Sequence, residues 1–142
     1  MKTTAGGVLL FAVTLALGCV TSQERDVLVP KQDQLLTDVL YPSSFEFAAE
    51  QSSDFSDSQA KKRFAVHLYV GSAKFLKVVD FYKKEMPVES WKLRQEIGSG
   101  GLKTLYFEKA PARGKTALQQ CIVTISSQGG QAQTIQVIRL EE

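Results

Sequence analysis

The chain has 142 residues, 44% of them hydrophobic and 23% charged, which suits one compact core and leaves no room for two full-sized domains. Against 15 Asp and Glu stand 17 Lys and Arg, a net charge of +2. So weak a field excludes a nucleic-acid partner as the default expectation.

In chain order, Met1-Lys2-Thr3-Thr4 is a short, weakly positive start. Ala5 to Leu17 is an uncharged apolar run that closes on Leu15-Ala16-Leu17-Gly18-Cys19. Positive start, apolar run and small residues follow one another as in a secretory signal peptide. The run falls short of the roughly 20 residues a stable transmembrane helix needs, so residues 1–18 are expected to be a leader and not a permanent span.

Ala16-Leu17-Gly18-Cys19 resembles the lipobox of bacterial lipoproteins. There a small residue precedes a cysteine that is diacylated on sulfur, becomes the new N-terminus and is acylated again. Ala16 stands where Leu is commonest, with Leu15 one position earlier, while Gly18 and Cys19 match. The resemblance implies a palmitate-type anchor on Cys19, and more than one acyl chain gives stable attachment. It also implies that Val20, in place of an inner-membrane-retaining Asp, favours the outer membrane, facing the periplasm, where the cell has two membranes. With Cys19 so used, Cys121 is the only remaining cysteine, and no disulfide framework is expected. It lies in the apolar, β-rich run Cys121-Ile122-Val123-Thr124-Ile125, where an unpaired cysteine acts as a small buried hydrophobe.

Residues 19–40 are polar and aperiodic and read as a flexible tether, leaving 41–142 as a single domain. Tyr41-Pro42-Ser43-Ser44 is a turn signal before a possible short strand, Phe45-Glu46-Phe47. Residues 51–59 read as a Ser- and Asp-rich loop or irregular strand. The strongest strand is Arg63 to Val70, with Phe64, Val66, Leu68 and Val70 expected to face the core and Ala65, His67 and Tyr69 the other side. Gly71-Ser72 breaks the alternation, Ser72 is a candidate cap, and Phe75, Leu76, Val79, Tyr82 and Met86 recur at helical spacing until Pro87. Trp91 to Ile97 and Leu102 to Lys109 form a hairpin about Gly98-Ser99-Gly100-Gly101, 111–119 is a charged loop, and 121–126 and 134–140 form a second hairpin about Gly129-Gly130. The expected fold is therefore α+β, with core order β-α-β-β-β-β and one helix packed across a mainly antiparallel sheet. Phe64, Val66 and Leu68 should meet Phe75, Val79 and Tyr82 in its core, with Trp91, Leu93 and Phe107 alongside.

Tyr41-Pro42, Phe45, Arg63, Leu68-Tyr69-Val70-Gly71, Phe81-Tyr82, Met86-Pro87, Trp91 and Phe107-Glu108-Lys109 together resemble a group of small bacterial lipoproteins and secreted proteins of uncharacterised function. The group has one α+β domain, and its usual Gly before the tryptophan is Ser90 here. The resemblance implies a fold with no activity attached.

Catalytic motifs are absent from this reading. Gly98-Ser99-Gly100 links two strands and offers no helix N-terminus to a phosphate. Gly114-Lys115-Thr116 lacks the glycine that a nucleotide-binding loop needs five positions earlier, where Lys109 stands. His67 is the one histidine, so no His-pair metal site and no cofactor is expected. Asp80, Glu85, Glu89, Glu96 and Glu108 read as solvated, as do Lys61-Lys62-Arg63 and the lysines at 74, 77, 83 and 84. The candidate binding face is the sheet side opposite the helix, where His67, Tyr69, Arg94 and Tyr106 would project together, since Tyr and Arg supply interface hot spots. The expected function is a membrane-anchored, non-enzymatic envelope lipoprotein that binds another envelope protein or cell-wall polymer. The alternative is a small-ligand-binding or hydrolytic domain acting on lipid or glycan.

Overall fold

The computed structural model describes residues 27–60, 62–111 and 118–141. The expected leader, Cys19, the first part of the expected tether, most of the expected charged loop and Gly114-Lys115-Thr116 lie outside these described residues. The elements in order are β1 (Pro30–Gln32), β2 (Leu40–Pro42), β3 (Phe45–Phe47), β4 (Ser53–Asp57), β5 (Lys62–Lys74), α1 (Phe75–Glu85), β6 (Lys92–Ile97), β7 (Leu102–Lys109), β8 (Gln119–Gln128) and β9 (Gln131–Glu141). Short 3-10 turns cover Ala49–Gln51 and Met86–Glu89. This is an α+β fold, mostly antiparallel sheet with one helix.

The main sheet has seven strands in the order β3-β5-β9-β8-β7-β6, with β4 also pairing β5. The helix carries the chain from β5, on one side of the sheet, to β6 at the far edge, and the β6 to β9 meander returns to pair with β5. Two-residue loops favour positive φ at both central positions, because that turn twist matches the strands. Gly129 and Gly130, at φ 59° and 80°, supply it between β8 and β9.

Among the described residues, one layer packs on one sheet face only. The helix turns Phe75, Val78, Val79, Phe81 and Tyr82 inward, while Leu76 is 70% exposed and lies outside the stripe assigned to it. The sheet meets them with Ala65, His67 and Tyr69 of β5, Ile135 and Val137 of β9, Cys121, Val123 and Ile125 of β8, and Leu105 and Phe107 of β7, all buried. The phase of β5 is thus the reverse of the sequence expectation. Phe64 and Val70 are 43% and 45% exposed, and Val66 and Leu68 are half-buried on the outer face. Leu93, on the edge strand β6, is also exposed.

Two further expectations are corrected. Residues 27–40 do not all belong to a tether: β1 and β2 pair as a small sheet, and Leu36 and Val39 between them are buried in the core. Ser72 caps nothing, since β5 continues to Lys74 and α1 starts at Phe75 without a side-chain cap, the Phe75 amide donating to Gly130 O at 3.0 Å. Ser90 occupies the left-handed region at φ 68° and ψ 19° after the 3-10 turn. Glycine reaches that conformation without steric cost, whereas a serine there is held against its backbone preference.

Gly71 is needed for its lack of a side chain. A Cβ there would stand 2.3 Å from Ser44 O and 2.7 Å from Phe45 Cα, both backbone atoms that can move only with β3. Forcing atoms into a packed site commonly costs about 1–3 kcal/mol. Gly71→Ala is therefore expected to lower the melting temperature by several degrees, and a thermal scan of the variant checks it.

Candidate functional site

Two polar clusters break the apolar layer, and a loop missed as structure builds both. Residues 33–39 fold back on themselves through Asp33 N to Val39 O at 3.1 Å and Val39 N to Leu36 O at 2.8 Å. Asp33 Oδ1 accepts the amides of Leu35 and Leu36, each at 2.7 Å, an arrangement typical of Asp in turns. Its Oδ2 accepts His67 Nδ1 at 2.8 Å and the Tyr69 hydroxyl. An ionised carboxylate can only accept, so Nδ1 carries the proton in this bond.

Burial opposes the charge on Asp33, but hydrogen bonds from His67, Tyr69 and the amides of Leu36 and Leu35 outweigh it and hold the carboxyl well below the usual range. Burial and the neighbouring Asp33 push the Tyr69 phenol far up. Tyr41 stacks on Tyr69 with ring centroids 4.4 Å apart, and Phe47 lies 4.9 Å from the His67 ring. His67 is 1% exposed, so this Asp-His pair is a structural knot closed to a substrate.

The second cluster lines a cleft of about 310 Å³ at one end of the sheet, bounded by the 36–38 loop, Arg63 of β5, Lys109 at the end of β7 and Ala110 after it, Gln119 of β8, and Arg139 and Glu141 of β9. Arg139 follows Ile135 and Val137 on the inner face of β9, which buries its guanidinium. The group is fixed by Leu140 O at 3.0 Å, Gln119 Oε1 at 2.8 Å and Asp38 Oδ2 at 3.3 Å. It also lies 4.6 Å over the Trp91 ring, a contact in which a cation is attracted to the electron-rich face. Lys109 Nζ shares Asp38 Oδ2 at 3.0 Å and sits 5.4 Å from the same ring, while Trp91 Nε1 donates to Asp38 O at 2.8 Å.

Of the four residues expected to share a face, His67 and Tyr69 are inside the core. Tyr106, between buried Leu105 and Phe107, points to the outer face. Arg94 stands at the β6 bulge and donates from Nε to Glu108 Oε2 at 2.7 Å. The four do not form one surface. The outer face is instead made by Phe64, Val66, Leu68 and Val70 with Ile138, Leu140, Ile122 and Tyr106, none of them fully buried. Sequence reasoning missed Asp33, Asp38 and Arg139. The available signal for Arg139 was its position two residues after Val137 in an alternating strand, which puts a cation in phase with core residues.

Cys121 is buried at the inner face, and burial pushes its thiol up to about 12, with the charge of Arg139 lowering it and that of Asp38 raising it. A thiol so held presents almost no thiolate at neutral pH. With Cys19→Ala making it the sole thiol, Cys121 is expected to resist a bulky disulfide reagent until urea unfolds the chain. Prompt labelling of the native protein would contradict this.

Among the described residues no group of three or more His, Cys, Asp or Glu side chains could hold a metal ion, and no helix is long and apolar enough to cross a membrane. Gly98-Ser99-Gly100 lies in the β6–β7 turn. Lys83 pairs with Glu96 across to β6, and Lys84 lies 3.6 Å from Glu85; exposed pairs of this kind contribute little. Comparison with protein-family models, curated proteins and solved structures gives no match.

Proposed function

We propose that this chain is a lipid-anchored protein of the bacterial envelope whose sheet domain is a non-enzymatic module that binds another envelope protein. Cys19 in Ala16-Leu17-Gly18-Cys19 is the acylated residue. In a cell with two membranes the anchor sits in the outer one and the domain faces the periplasm.

The observation that supports binding is the outer sheet face. An antiparallel sheet with one solvated side ordinarily alternates apolar inward and polar outward. Here the outward positions of β5 are Phe64, Val66, Leu68 and Val70, continued by Ile138, Ile122 and Tyr106 across the register. Charges stand at the margin, at Asp57, Lys62, Lys92, Glu108 and Glu46. Strand spacing of about 4.8 Å and a rise of about 3.4 Å per residue give the apolar positions roughly 260 Å² in projection, close to the largest apolar patch that an ordinary monomer exposes. The row beside it on the same face carries Gln136, Thr124 and Thr104 opposite Leu68, so the matching partner is a protein surface that sets hydrogen-bonding groups next to an apolar patch.

The test is a photo-crosslinking residue placed in cells at Ile122, at the centre of the face, and at Asp80, on the exposed side of the helix. A discrete protein adduct from Ile122 alone is expected. Cys19→Ala should no longer incorporate a palmitate analogue and should lose the adduct through mislocalisation. No adduct from Ile122, or the same adduct from both positions, overturns the binding face; unchanged label in Cys19→Ala overturns the anchor.

A further inference from the structure

We propose that the cleft beside Trp91 binds an oxyanion, the carboxylate or phosphate group of a small molecule or of a lipid headgroup, independently of what the outer face binds. Three cations, Arg63, Lys109 and Arg139, line it with two carboxylates, Asp38 and Glu141. The Asp38 carboxylate is already shared by Lys109 and Arg139 through a single oxygen, whereas the cations retain unspent donors. Lys109 Nζ uses one of its protons on Asp38 Oδ2. Arg63 commits Nε and Nη2 to Asp54 and to Leu35 O, and among the described residues its Nη1 has no hydrogen-bond partner.

Both side chains are accessible, at 24% and 32% exposure, while Arg139 at 5% is a fixed wall held by its bonds and by the Trp91 ring. Fixed and reachable cations in one concavity are the elements of anion recognition, because a charge-assisted bond gains most where the donor is preorganised and partly shielded from water. A volume of about 310 Å³ lies at the small end of ligand pockets. Leu36 and Ala110 on its wall leave room for a short apolar portion next to the anionic group.

Trp91 is the single tryptophan of the chain, and its ring lies under Lys109 and Arg139, two of the cations that line the cleft. The full chain in neutral detergent is titrated with inorganic phosphate and with acetate, against chloride at matched ionic strength. It is also reconstituted, free of detergent, in phosphatidylcholine vesicles with a rising fraction of phosphatidylglycerol. Emission and melting temperature are read together.

A saturable change, or a rise in melting temperature, with an oxyanion and not with chloride is expected. Saturation by a free anion assigns a soluble ligand, and saturation by anionic vesicles alone assigns a headgroup. In Lys109→Gln and in Arg63→Gln the midpoint should rise at least about tenfold. Lys103→Gln, whose partner is Glu96 on the neighbouring edge strand, should leave it unchanged. The proposal is overturned by no response of either observable to any of these anions, or by the same midpoint in wild type and in both cleft variants.

Discussion

Asp33→Ala is expected to lower the melting temperature by roughly 15 °C or more, although the residue lies in a stretch whose composition resembles a linker. The carboxylate is 4% exposed and takes four hydrogen bonds, from His67, Tyr69 and the amides of Leu35 and Leu36. Truncation leaves the imidazole and phenol of the buried sheet face without their acceptor, and it releases the loop that seats Leu36 and Val39. Removing one partner from a buried charged network commonly costs about 3–5 kcal/mol, and each kcal/mol is about 4–8 °C in a domain of this size.

The same site sets an acid dependence whose sign follows from the lowered Asp33 pKa. In the unfolded chain this carboxyl takes up a proton near the ordinary value of about 3.9, and in the folded chain only at lower pH. Its contribution is therefore complete above about pH 4 and is lost as pH falls below that, because the unfolded state then binds more protons. Thermal melts between pH 7 and pH 2 should show a steeper acid loss in the wild type than in Asp33→Asn, which has no carboxyl to titrate. Parallel curves would remove Asp33 from the explanation.

Turn chemistry made the later half of the fold legible. The glycine-rich turns mark the β6–β7 and β8–β9 hairpins, Pro87 lies just past the end of α1, and Phe75, Val79 and Tyr82 are inward as their spacing requires. The phase of β5 was not legible, for a reason that bears on function. Alternation identifies the core face only where the other face is polar. In β5 the outward set Phe64, Val66, Leu68 and Val70 is more hydrophobic than the inward set Ala65, His67 and Tyr69, whose polar groups are satisfied by Asp33, more than thirty residues earlier. Local hydropathy contains neither that long-range partner nor any interface the outer face serves. The cleft was hidden for a related reason: Asp38, Lys109 and Arg139 are brought together by register and by a loop that composition alone assigns to solvent.

Trp91→Ala should leave little folded protein, while Lys92→Ala, the next residue, should melt within about 0.5 kcal/mol of wild type. Trp91 is 1% exposed and its amide donates to Met86 O at 3.2 Å, fixing the end of the helical segment to the start of β6. Its indole holds the 33–39 loop through Asp38 O and lies beneath the Arg139 and Lys109 cations. Losing a buried aromatic of this size commonly costs about 3–5 kcal/mol, against roughly 5–15 kcal/mol for a whole domain. The cost here should fall at the upper end, because the cavity would open beside a buried guanidinium that keeps its desolvation cost and loses the ring. Trp91→Phe divides the contributions: it keeps an aromatic face but removes the Nε1 donor and one ring of the indole, so it should lose about 1 kcal/mol for the unmade bond to Asp38 O and a further amount for the smaller ring. Lys92 lies exposed on the edge strand and serves as the neighbour that shares the backbone but not the packing. Thermal melting of the three full-length variants in detergent decides the matter: equal melting temperatures for Trp91→Ala and Lys92→Ala would mean that the indole does not join loop, helix end and sheet.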